Sequence, residues 1–166
     1  MKRLWAPWRI TYILSPKPDK CIFCEYSKKG KDEDNYILYR GKNVFIMMNI
    51  YPYNTGHVMI VPYRHVPTIE DLSFEETSEM MEALKLVIKA IRKSLNPSGF
   101  NVGFNIGRIA GAGIEDHIHM HVVPRWPGDT NFMPVIGDTK VISELLRDTY
   151  IKIKKAIDEV KGEGHG

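Results

Sequence analysis

The chain has 166 residues, of which 43% are hydrophobic and 26% charged, with a formal net charge of +3. That composition supports one folded domain of ordinary size and excludes bulk disorder. The slight basic excess suits an anionic small ligand and is too weak to argue for nucleic acid, and no apolar run is long enough for a membrane-spanning helix.

Residues 1–20 read as an N-terminal arm carrying Arg3, Trp5, Trp8 and Arg9, packed on the domain or on a second subunit. Pro7 breaks any membrane-surface helix, and Pro7 with Arg9 interrupts any secretory leader. Cys21 and Cys24 are the only cysteines. Two are few for a secreted disulfide scaffold, so the cytoplasm is the expected compartment. After a charged loop, three strand-like runs follow at 36–40, 43–49 and 57–62, with Gly41-Lys42 as a tight hairpin turn between the first two. The 51–56 segment is a loop by its Pro, Asn and Gly content.

The clearest helix starts at Ser73, where Ser73 and Glu76 form a capping-box pattern. Met80, Leu84, Val87, Ile88, Ile91 and Leu95 then fall on one face, and Asn96-Pro97-Ser98-Gly99 stops the helix. Two more strands are expected at 100–106 and 117–124, joined by a glycine-bearing loop. A second helix is expected over 140–161, with a stripe of Ile142, Leu145, Leu146, Tyr150, Ile153, Ile157 and Val160. The last residues, 162–166, read as a frayed tail. Short turns between neighbouring strands favour an antiparallel sheet. The fold class is therefore α+β, with about five strands and two main helices in a single domain spanning 1–166.

The chemistry concentrates in His117-Ile118-His119-Met120-His121. Side chains alternate along a strand, so the three imidazoles share one face and stand roughly 6.5–7 Å apart at Cα. Imidazole pKa values near neutrality let such rings divide the roles of nucleophile, proton donor and metal ligand. A three-histidine metal site is a competing reading of the same pattern. Just upstream, Gly107-Arg108-Ile109-Ala110-Gly111-Ala112-Gly113 is a loop of the kind that exposes backbone N–H groups to phosphate oxygens. It is neither a P-loop nor a dinucleotide fingerprint. Cys21 and Cys24 have zinc-ligand spacing, yet a zinc site needs four ligands, so histidines would have to complete it. Two unbound cysteines are the other reading, and a redox pair is disfavoured for want of a strand before the motif.

His117 to Val123 resembles the signature of the histidine triad superfamily of nucleotide hydrolases and transferases. The 45–49 run and Gly56-His57-Val58-Met59-Ile60-Val61-Pro62, followed by Arg64-His65, are similar too. Val123-Pro124-Arg125-Trp126, Gly128-Asp129-Thr130-Asn131-Phe132 and Leu4-Trp5-Ala6-Pro7-Trp8-Arg9 resemble one branch in particular. That branch contains the bacterial diadenosine tetraphosphate phosphorylases and the fragile-histidine-triad-like dinucleoside polyphosphate hydrolases.

The resemblance implies a catalytic pair, with His119 attacking an α-phosphorus to form a nucleotidyl-histidine intermediate and His121 assisting the leaving group. It implies substrate contacts from Asn49 to ribose, from His57 and Asn105 to phosphate, and from loop amides near Gly113. It implies a structural zinc held by Cys21, Cys24, His65 and His117, and a homodimer. Many members carry Ser or Thr in the loop before the triad, whereas this chain has Ile114-Glu115-Asp116. Those acids would point away, bind a divalent cation with the substrate phosphates, or orient a histidine. The substrate expected is a dinucleoside polyphosphate, released to water or phosphate. The alternatives are a nucleoside phosphoramidate hydrolase, against which the 126–132 region argues, and a zinc-stabilised nucleic-acid-binding or scaffold protein. Scattered lysines weaken the last.

Overall fold

A computed structural model describes residues 20–28, 30–131, 133–137 and 139–163. The expected arm over 1–20 lies outside these except for Lys20, as do Phe132 and the end of the tail. The elements are α1 (Ile22–Lys28), β1 (Ile37–Arg40), β2 (Val44–Met48), β3 (Val58–Pro62), α2 (Phe74–Leu95), β4 (Gly99–Phe104), β5 (Met120–Arg125), α3 (Met133–Ile136) and α4 (Leu146–Glu163). Short 3₁₀ turns stand at Ile69–Asp71 and Arg108–Ala110. All strand pairs are antiparallel, in the order β1-β2-β3-β5-β4. This is the α+β class read from the sequence.

Strand alternation divides the core in two. Val44, Ile46 and Met48, Val58 and Ile60, and Met120 and Val122 face one side, where they meet α2 and α4. Phe45 and Met47, with Met59 and Val61, face the other, beneath Phe23 of α1. The histidines of β5 and its approach occupy the second face, because they alternate with Met120 and Val122. Arg40 of β1 pins α1 over this face. Its Nη1 donates to the Ser27 carbonyl at 2.7 Å, and its Nε and Nη2 hold Asp32.

The capping box at Ser73 forms in full: Ser73 Oγ accepts from Glu76 N–H, and the Glu76 carboxylate accepts from Ser73 N–H. The deepest positions of α2 include Ala83 and Ala90, which the expected stripe omitted. Small residues there let the sheet and α4 come close. The β1–β2 turn is held from outside, by Glu79 of α2, whose carboxylate accepts from Lys42 N–H, Asn43 N–H and the Asn43 amide. A Cβ on Gly41 would displace the Glu79 carboxylate that holds this turn.

Several boundaries differ from expectation. The C-terminal helix begins at Leu146 instead of 140 and runs to Glu163. Residues 140–145 run as non-helical chain, and the Lys140 amine is drawn to the Asp129 carbonyl, 2.5 Å away. The short helices α1 and α3 were not foreseen. The strand expected from 117 begins at Met120. Extending the β3–β5 register would set Pro62 opposite Ile118, and proline has no N–H for the ladder. Ile118 N–H instead reaches the Val66 carbonyl at 2.7 Å.

Phe23 is 1% exposed and fills the space between the sheet and the rings of His117 and His119, with centroids 5.2 and 4.9 Å away. Phe23→Ala should lower unfolding free energy by about 3–5 kcal/mol. Urea denaturation followed by circular dichroism measures this, and a loss below about 1 kcal/mol would mean that α1 does not close the core.

Candidate active site

His117, His119, His121 and His57 are all buried, with exposures of 0, 5, 9 and 0%. Two come from the approach to β5 and one from β5 itself. His57 comes from the residue before β3, which the β3–β5 register sets beside β5. Ring centroids are 4.8 Å apart for His119 and His121, and 5.1 Å for His57 and His121.

Hydrogen bonds assign the tautomers of the neutral rings. Tyr53 N–H donates to His57 Nδ1 at 3.0 Å, so the His57 proton sits on Nε2. That proton meets His121 Nδ1 at 2.9 Å, so the His121 proton sits on its own Nε2. His121 Nε2 is 3.5 Å from the Asn105 amide. His119 donates through Nδ1 to the His117 carbonyl at 2.8 Å, which leaves His119 Nε2 as a bare lone pair. His117 donates through Nε2 to the Pro62 carbonyl at 2.8 Å, which turns its Nδ1 toward the cysteines.

Protonation of these rings is held down by desolvation. Burial, then the neighbouring His121 and His119, push His57 down to about 3. Burial, then His119, push His121 down to about 4. Burial also lowers His119, against the opposing effect of its bond to the His117 carbonyl. At neutral pH the face is therefore a set of neutral imidazoles, with one free lone pair and one outward N–H.

Asn49 is buried beside His57. Its amide nitrogen is 3.4 Å from His57 Nδ1, and its oxygen accepts from Tyr51 N–H. Gly113 is exposed at the end of the 107–113 loop. In that loop the Gly111 and Ala112 N–H groups bond to the Arg108 and Gly107 carbonyls, so they are turned inward and not offered to a ligand. Glu115 is half-buried and Asp116 exposed.

Cys21, Cys24, His65 and His117 come together, with their donor atoms all within 4.8 Å of one another. Cys21 Sγ and Cys24 Sγ lie 3.3 and 3.6 Å from His117 Nδ1, and Cys24 Sγ lies 3.4 Å from His65 Nδ1. Metal–ligand bonds of about 2.0–2.3 Å in a tetrahedron give edges of about 3.5 Å. The donor set and its spacing therefore fit a tetrahedral metal ion. Burial, then Cys21 alongside, raise the Cys24 thiol above its ordinary value. A cation would reverse that effect.

Sequence reasoning missed Tyr53 and Phe23. Tyr53 orients His57 through its backbone N–H and lies over His57 and His121, at 4.5 and 5.6 Å. Its position in a Pro/Asn/Gly loop carried no signal of this. The apolar Ile22-Phe23 between the two cysteines was the available hint of a packed helix.

Residues 31–128 match the HIT domain family. The chain belongs to the histidine triad family. It is 43% identical over 158 residues to AP-4-A phosphorylase of Mycobacterium tuberculosis, covering 90% of this chain and 80% of that protein. It is 32% identical over 93 residues to bis(5'-nucleosyl)-tetraphosphatase (asymmetrical) of Schizosaccharomyces pombe, covering 56% and 50%. The fold matches a zinc-bound histidine triad family protein of Mycobacterium smegmatis, with a TM-score of 0.71 at 24% identity over 87% of this chain and 97% of that one. Among the described residues of this histidine triad chain, no helix is long and apolar enough to cross a membrane.

The depressed histidines predict an acid-labile fold. The unfolded chain takes up protons on His57 and His121 as pH falls through about 6.5, whereas the folded chain resists until about 3 and about 4. Stability should be flat above about pH 7 and decline as pH drops below about 6.5. The urea midpoint should show this decline, and the decline should shrink in His57→Asn. An unchanged pH dependence in that variant would remove His57 from the account.

Proposed function

We propose that the chain cleaves dinucleoside polyphosphates, such as diadenosine tetraphosphate, at an α-phosphate through a covalent intermediate on His119. One observation carries the reading: His119 Nδ1 is committed to the His117 carbonyl, so Nε2 is a neutral, desolvated lone pair ready for attack. The names of the Mycobacterium tuberculosis and Schizosaccharomyces pombe relatives support the substrate class.

In the first step the His119 Nε2–phosphorus bond forms and the bond to the leaving phosphate oxygen breaks. His121 Nε2–H gives its proton to that oxygen, and His57 Nε2–H, bonded to His121 Nδ1, steadies the ring that gives it up. In the second step water or inorganic phosphate attacks phosphorus, the nitrogen–phosphorus bond breaks, and the proton returns to His121. Covalent catalysis divides one difficult displacement into two easier ones. Asn105, beside His121 Nε2, holds the phosphate near the reacting centre, and Asn49, beside His57, holds the ribose.

Product analysis tests this. Purified protein with diadenosine tetraphosphate should yield ATP and AMP by hydrolysis, or ADP and ATP only when phosphate is added. His119→Ala should lose turnover, at least about a thousandfold, while still binding nucleotide by calorimetry. A variant with wild-type rate would eliminate His119 as nucleophile. Turnover of adenosine 5'-phosphoramidate alone would favour the other branch of the family.

Cys21, Cys24, His65 and His117 would hold a structural zinc, since all four positions are filled by protein and none stays open for substrate. Zinc there would tie α1 to the approach of β5. Metal analysis should find about one zinc per chain. Cys24→Ser should reduce that content and lower Tm, and an equal zinc content in the variant would show that the metal binds elsewhere.

A further inference from the structure

The catalytic face does not end at His121. Odd-numbered residues of β5 continue as Val123 and Arg125, and the register sets Gly103, Asn101 and Gly99 of β4 opposite His121, Val123 and Arg125. Above Val123 opens a cleft of about 250 Å³, walled by Tyr53, Asn101, Arg125, Thr130 and Lys140. Tyr53 belongs to both places, since its ring stacks on His121 at a 25° interplanar angle and also lines the cleft. The glycines of β4 keep the surrounding face low, with nothing near a Cβ placed on Gly99 or Gly103.

The electrostatics of this cleft are one-sided. The Asp129 carboxylate sits behind it, its side chain 8% exposed. It is consumed by Arg125 Nε and Nη2, the Asn54 amide, Trp126 N–H and the Thr130 hydroxyl. Arg125 is held flat, with Nη1 on Asn101 Oδ1 at 2.7 Å, yet its side chain remains 45% exposed. Lys140 Nζ bonds the Asp129 backbone carbonyl, which neutralises no charge. Among the described residues no acidic side chain lines the cleft. Arg125 and Asp129 cancel, and Lys140 leaves one net positive charge beside an amide, a hydroxyl and an aromatic ring.

We propose that this cleft binds the distal phosphates of a polyphosphate chain, the part that leaves when His119 is charged. The proposal rests on the function proposed above and adds a basis for selecting substrates by chain length. Four residues of strand separate His119 from Val123, a span of about 13 Å. A monophosphate or diphosphate at His119 ends short of the cleft. A longer chain of linked phosphates extends toward the cleft, and the long Lys140 side chain covers the remaining distance. Free inorganic phosphate, the acceptor in phosphorolysis, has the same chemistry, and the test separates the two sources.

Lys140→Met keeps the side-chain stem and removes the charge, and Lys140→Arg restores charge as a check on folding. Calorimetry with inorganic tripolyphosphate should show binding about tenfold weaker in Lys140→Met and near wild type in Lys140→Arg. The ratio of kcat/KM for diadenosine tetraphosphate to that for adenosine 5'-phosphoramidate should fall about tenfold in Lys140→Met. Equal tripolyphosphate binding by all three proteins, or an unchanged ratio, overturns the proposal. A rise confined to the KM for inorganic phosphate also overturns it, and assigns the cleft to the acceptor. Failure of the wild type to turn over either substrate, with tripolyphosphate binding still dependent on Lys140, would sink the proposed function and leave the anion cleft standing.

Discussion

The site depends on how His117 is held. Its Nε2–H is fixed by the Pro62 carbonyl, its Nδ1 faces Cys21 and Cys24, and its own carbonyl fixes the tautomer of His119. One residue thus connects the cluster of Cys21, Cys24 and His65 to the proposed nucleophile through a single hydrogen bond. Pro62 makes this possible in two ways. It has no N–H, so the β3–β5 ladder stops there, and its free carbonyl is left to accept from an imidazole. The approach to β5 is therefore set by side-chain bonds instead of a regular ladder. That is why the α1 cluster bears on a ring that it does not touch by hydrogen bond.

Burial then decides the protonation of the whole face. Three closely spaced imidazoles and His57 would repel one another if charged, and low water content makes the charged forms costly. Desolvation is the leading cause of the lowered values for His57, His119 and His121 alike. The consequence is chemical as well as structural. A neutral imidazole has a lone pair to give, and a relay of neutral rings from Tyr53 N–H through His57 to His121 has one direction. Protonating any member would reverse a donor and break the sequence of bonds. The same desolvation that predicts acid sensitivity keeps the rings neutral near neutrality.

Loops outside the sheet finish the arrangement. Asn54 links the loop carrying Tyr53 to the end of β5, through the Pro124 carbonyl, and to the segment after it, through Asp129. Asp129 gathers donors from four residues and so holds the exit of β5 rigid. The ring that lies over His57 and His121 is positioned from the same hub that flattens Arg125. The histidine face and the cationic cleft consequently share one support, and under the proposed function the leaving end of a substrate would pass from one to the other across Tyr53.

Much of this was legible in the sequence where the signal is local. The capping box at Ser73, the alternation of β2 and β3, and the period-two spacing of His117, His119 and His121 depend on backbone geometry that neighbouring residues impose. The pairing of Cys21 and Cys24 with His65 and His117 came from family resemblance, because nothing local joins residues so far apart. The sequence misplaced the start of α4 and of β5. The first depends on where Lys140 is drawn, and the second on which residue faces Pro62, and both are long-range facts. Local order determined that three imidazoles share a face. Only the tertiary structure decided which nitrogen of each carries the proton, because that is set by carbonyls and amides brought in from β3 and the 51–56 loop.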